Sequence, residues 1–132
     1  MGDFSVWPVL AGAAAFFAVG AIWYGAIFGK AWQKAAGMSD EAVQSGNMPL
    51  IFGLSFLFEV LIAMVLWHLL ERTDPAPHVV MMMAIGFAVG VMIPTMGINY
   101  LYLRKTLTHF LIDSGHILVG MSSMGAVFLL FR

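Results

Sequence analysis

Cysteine is absent from the sequence, which excludes disulfides, thiolate catalysis and cysteine-based zinc sites. Charge is scarce as well. Asp, Glu, Lys and Arg make up 10% of the 132 residues, where soluble domains carry about 25%, so the chain lacks the polar groups to cover a globule in water. A net charge of −1 offers no basic patch to neutralise phosphates, and nucleic acid is excluded as a partner. There is no Walker motif, no GxGxxG after a strand, no HExxH and no supported Ser-His-Asp set. An enzyme is the least supported class, and neither a cofactor nor a metal site is expected.

What the chain has in abundance is long apolar runs, with 61% of its residues hydrophobic. A bilayer-spanning helix needs about 20 predominantly apolar residues at 1.5 Å of rise each. Four runs qualify, at about residues 6–28, 48–70, 79–103 and 107–131. They do not alternate in polarity, so barrel strands are excluded. The expected fold is all-α: one transmembrane domain over residues 1–132, four helices in an antiparallel bundle, with the lipid bilayer as its surroundings. Residues 1–5 carry no positive charge and the first run is longer than the about 7–15 residues of a signal h-region. Val6 also misses the myristoylation pattern, so the first run is expected to remain as a helix.

The connections are short. Residues 30–47 form the longest, with Gly37 as a helix stop and Ser39-Asp40-Glu41 as a start. Pro75 and Pro77 forbid one continuous helix between the second and third runs, and Arg104-Lys105-Thr106 makes a tight hairpin. Lys30, Lys34, Arg104 and Lys105 fall on one side, against Arg72 and Arg132 on the other. By the positive-inside rule both termini are expected outside. Trp7, Trp23, Tyr24, Trp67, Tyr100 and Tyr102 lie near the expected helix ends, where aromatic belts form.

Few residues could carry chemistry. Glu59 stands near the middle of the second run, where a charged side chain costs roughly 2.5–3.5 kcal/mol on insertion scales. Ser55 and Ala63, four residues either way, make that face small. Glu59 is either a proton- or cation-binding carboxyl or a protonated Glu hydrogen-bonded across a helix contact. Asp113 and His116 share a face of the fourth helix, which Gly120 and Ser123 continue. Asn99 flanks the hairpin at a depth like that of Asp113, and a hydrogen bond between them is expected. An Asp–His pair can relay protons. The plainer alternative is that Asp113 pins the hairpin, paired with Arg104, while His116 fills a polar slot. His68, His78 and His109 lie near helix ends and are read as bland. The eleven methionines invite Cu(I) but serve more simply as packing.

Gly25/Gly29 and Gly86/Gly90 match GxxxG, the spacing that lets membrane helices approach closely. Trp23-Tyr24-Gly25, Phe28-Gly29-Lys30-Ala31-Trp32 and Gly37, together with Leu111-Ile112-Asp113-Ser114-Gly115-His116-Ile117-Leu118-Val119, resemble the two signatures of a family of small bacterial membrane proteins, the domain of unknown function numbered seventeen-sixty-one. The resemblance covers most of the chain and implies four helices, a bacterial cytoplasmic membrane and no assigned activity. That family's pattern has Asn in place of Asp113 and Tyr in place of His116, so an Asp–His relay is not implied by it. Small multidrug exporters have similar length but carry their essential Glu in the first helix, which is uncharged here.

The leading functional expectation is a small proton- or cation-linked transporter or channel subunit, homo-oligomeric and centred on Glu59. The alternatives are a structural or accessory subunit of a larger membrane complex, or a lipid- or small-ligand-binding membrane protein. Charge bias makes the topology directly testable. Reporter fusions at Arg132 and within the 33–47 loop should report opposite sides of the membrane, and equal signals from both sides at each position would refute the charge argument.

Overall fold

The computed structural model describes residues 5–132, so the reading of residues 1–4 as lacking a signal n-region lies outside it. The elements are α1 (Trp7–Ile22), a π-helical turn (Trp23–Ile27), α2 (Gly29–Ala36), α3 (Asp40–Gln44), α4 (Met48–Thr73), α5 (Pro77–Phe87), a second π turn (Ala88–Met92), α6 (Ile93–Tyr102) and α7 (Leu107–Leu130). α1 and α5 run through their π turns, giving four helices long and apolar enough to cross a bilayer: Trp7–Ile27, Met48–Thr73, Pro77–Tyr102 and Leu107–Leu130. The protein is an all-α integral membrane protein with four transmembrane helices, successive ones antiparallel.

The helix ends follow from local chemistry. Pro8 and Pro77 sit in first turns, where a missing N–H costs nothing. Asn47 caps α4 by accepting from the Leu50 N–H at 3.2 Å, and Thr106 caps α7 by accepting from His109 N–H at 3.1 Å. Gly37, at φ 69°, ends α2 in the left-handed conformation that glycine adopts without strain. At the opposite end of the bundle, Arg132 donates to the Leu70 and Pro75 carbonyls and to the Asp74 carboxylate, at 3.1, 2.9 and 2.7 Å. This ties the end of α7 to the α4–α5 connection.

α1 is the central helix. It packs most extensively on α7 and next on α4, while α5 packs on α7. α4 and α5 are consecutive, yet they barely touch. The core forms where these helices meet, from Ala13, Phe16, Leu66, Ala84, Met124 and Phe128 among others. Trp67 and Phe128 meet edge to face at 5.1 Å, joining α4 to α7. Elsewhere large apolar side chains point outward, including Leu50, Phe52, Leu57 and Phe58 along α4. This is the expected arrangement where lipid is the solvent and no hydrophobic force expels apolar surface from it.

Glycine does bring helices together, but not the glycines of the two GxxxG pairs. An added Cβ at Gly25, Gly86 or Gly90 would meet nothing within 4 Å among the described residues, and at Gly29 it would meet only the backbone of Tyr24. Both pairs interrupt a regular helix: Gly25 lies within the first π turn and Gly90 within the second. Their hydrogen bonds reach five residues rather than four, so a spacing of four no longer keeps two residues on one face. The close approaches are instead at Gly12, Gly115, Gly120 and Gly125, where a Cβ would stand 2.5 Å from Phe128, 2.6 Å from Trp23, 2.7 Å from Phe16 and 2.9 Å from Ala84.

Gly120→Val and Gly125→Val should therefore destabilise the monomer by about 1–3 kcal/mol through overpacking, and Gly86→Ala should leave it unchanged or slightly more stable. Thermal unfolding in mild detergent measures this. Equal losses at Gly86 and Gly120 would contradict the packing described.

Candidate functional site

Asp113 is the point where three of the four spans converge. It lies in the second turn of α7, and its residue is 8% exposed. The Tyr24 hydroxyl donates to Oδ1, and the Tyr100 hydroxyl donates to Oδ2. His109, one turn earlier on the same helix and 5% exposed, places Nε2 3.2 Å from Oδ2. Tyr24 comes from the first span and Tyr100 from the third. The carboxyl thus draws donors from both neighbouring helices and from its own.

The first π turn positions these groups. The Phe28 N–H donates to the Trp23 carbonyl at 2.7 Å, closing a turn five residues long. From that turn the Trp23 indole N–H donates to the Ile112 carbonyl at 2.9 Å, its ring lying over Gly115. Tyr24, the next residue, then meets Asp113. π turns of this kind occur frequently at functional sites. α2 covers the cluster with Trp32, whose ring stands edge-on to Tyr24 at 5.9 Å and to His109 at 5.6 Å.

His116 completes the face below. Its ring is held edge-on between Phe16 at 5.2 Å and Tyr24 at 4.9 Å. Its Nε2 is buried without a partner among the described residues and points at Gly20, where a Cβ would stand 3.0 Å away. His109 Nδ1 and Ser114 Oγ are likewise buried and unpartnered among these residues.

Two expectations about this region need correction. Asn99 is exposed and is not among the partners of Asp113. At about 100° per residue around a helix, the residue that faces α7 is its neighbour Tyr100. Arg104, exposed in the hairpin at φ 57°, does not pair with Asp113 either. His109, read as bland, is buried against the carboxyl. Tyr24 and Tyr100, assigned to an aromatic belt, turn inward. Helical spacing alone could have found His109, since it lies four residues before Asp113.

Glu59 is a second and separate centre. It is 8% exposed on the inward face of α4, which continues through Ala63, Leu66 and Leu70. Oε1 is buried and has no hydrogen-bond partner among the described residues. No contact joins it to Asp113. Where α4 stands away from α5, an apolar crevice of about 260 Å³ opens, lined by Leu61, Ile62, Val65 and Leu66 of α4, Phe87 and Met92 of the third span, and Met121 of α7. Among the described residues, no group of three His, Asp or Glu side chains is arranged to hold a metal ion.

Fold and sites together define a small polytopic membrane protein with two buried carboxyls, one bound into a network and one alone. Residues 7–129 match a family described as a protein of unknown function, DUF1761, and the chain belongs to it. Neither a curated protein nor a solved structure matches the chain.

The shared carboxyl makes a double-mutant cycle informative. Tyr24→Phe and Tyr100→Phe should each cost about 0.5–2 kcal/mol, the range for hydrogen bonds between membrane helices. The double variant should depart from additivity by at least about 0.5 kcal/mol, because both hydroxyls serve one acceptor. Unfolding in detergent reads both quantities, and strict additivity would mean the two contacts are independent.

Proposed function

We propose that this protein is a non-enzymatic, proton- or cation-linked transporter or channel subunit whose exchanging group is Glu59. One observation carries the proposal: a carboxyl at the middle of a spanning helix, buried, with no donor or counter-charge bonded to it. A group that is expensive in hydrocarbon and has no structural partner is explained by what it takes up and releases. Asp113 supplies the contrast. Its donors come from three helices, which suits a fixed joint at one end of the bundle. The two carboxyls thus divide the work, Asp113 holding the helices at the α2 end while Glu59 exchanges its ion at mid-membrane.

The proposed setting is a cytoplasmic membrane, with both termini outside and the α2 end on the side of Lys30, Lys34, Arg104 and Lys105. A homo-oligomer is part of the proposal, since the faces bearing Gly25, Gly86 and Gly90 stay open in one chain and suit close helix approach. The same open face favours the second reading, a non-transporting accessory subunit docked on a larger membrane complex.

Glu59→Gln separates the two. It keeps shape and hydrogen-bonding capacity while removing the exchangeable charge. In proteoliposomes under an imposed pH gradient, wild type should show proton flux and Glu59→Gln none, with unfolding stabilities within about 1 kcal/mol of each other. Absence of flux in the wild type under every gradient, with the two equally stable, would refute transport and favour the accessory subunit.

A further inference from the structure

We infer that Glu59 and the apolar crevice beside it form one binding site for an amphiphilic organic monocation, a protonated or quaternary amine with an apolar body, entering from the lipid phase. This rests on Glu59 being the exchanging group of a transporter, and it names the substrate class.

The crevice and the carboxyl are parts of one surface. Ile62 and Leu66, which line the crevice, stand three and seven residues after Glu59 and therefore on the same stripe of α4. At 1.5 Å of rise per residue, that stripe runs about 10 Å from the carboxyl to Leu66. The opposite walls are Phe87, Met92 and Met121. Methionine adapts its shape and is polarisable, so two of these walls can fit apolar bodies of differing outline. The lining is almost entirely apolar, and the crevice is open at its side. It exists because α4 is held by α1 and barely touches α5. Its volume of about 260 Å³ lies just below the roughly 300–1,000 Å³ of small-molecule sites.

Charge decides what the occupant must be. Glu59 Oε1 is buried and unpartnered among the described residues. The chain holds six Lys and Arg residues, and none is within the apolar middle of a span: Lys30 and Lys34 are on α2, Arg72 is in the last turn of α4, Arg104 and Lys105 are in the hairpin, and Arg132 is bound to Asp74. A cation must therefore come from outside the chain. One carboxyl balances one charge, which disfavours dications, and it repels the phosphates and carboxylates of ordinary lipids. A neutral amphiphile would fill the crevice and leave the carboxyl unbalanced.

The test uses the full chain in phosphatidylcholine nanodiscs, with tritiated octyltrimethylammonium as probe and empty nanodiscs as blank. Wild type should bind it saturably above the blank. Octylamine should compete, and octanol at equal concentration should not. Glu59→Gln should weaken binding at least about tenfold. So should Val65→Trp, which fills the crevice from a wall position that is 56% exposed and outside the core. Binding no greater than the blank, binding unchanged in Glu59→Gln, or equal competition by octanol would each overturn the site. Proton flux in the same preparations keeps the two proposals distinct. Glu59-dependent flux without amine binding would remove the cation site and leave transport standing. Amine binding without flux would keep the site and remove transport.

Discussion

A carboxyl inside a bilayer has no water to turn to, and Asp113 answers that constraint by recruiting hydroxyls and an imidazole from three spans. Much of the arrangement at that end of the bundle follows from it. Tyr24 reaches the carboxyl from a wide turn, Trp23 anchors that turn on the Ile112 carbonyl, and Trp32 closes over the top from α2. Membrane helices gain little from burying apolar surface against each other, so small residues and polar contacts decide which faces meet. Here α7 supplies both, with Asp113 at one end and Gly115, Gly120 and Gly125 spaced along its length.

The two acidic residues show how differently a membrane protein can treat the same functional group. Asp113 is engaged on both oxygens, and loss of any one donor leaves others in place. Glu59 is engaged on neither, beside the one opening that the packing leaves. Stability and function are thereby segregated to different helices: the joint belongs to α1, α6 and α7, whereas the exchanging group rides on α4, which is attached chiefly through α1. Such an attachment leaves α4 the least constrained of the spans.

The number of helices and their orientation relative to one another were legible in the sequence because the bilayer dictates them: a span must be about 20 apolar residues long, and Pro75, Pro77 and the Arg104–Lys105 hairpin leave few places to turn. Asp113 and His116 were visible as a pair because helical spacing puts them on one face. Tyr24 and Tyr100 were not, because an aromatic residue near a helix end has two uses, facing the interface or facing a polar partner, and residue type does not distinguish them. Asn99 failed for a related reason. Depth along a helix can be counted from the hairpin, but rotation about its axis cannot once the turn at Ala88–Met92 has altered the count. The GxxxG pairs were misleading on the same ground, since the motif assumes four residues to a common face.

Those wide turns carry a further consequence. Each adds about one residue to a helix without breaking it, so everything beyond the turn is rotated by about 100° from where an unbroken helix would put it. Spans one and three each behave as two cylinders stacked end to end with different phase, one set by the core around Phe16 and Ala84, the other by Asp113. Moving a wide turn by a single residue along its helix would screw one cylinder against the other, trading which side chain faces the carboxyl while every segment stays helical. The bundle thus contains, in its own backbone, a means of changing partners at the joint without unfolding.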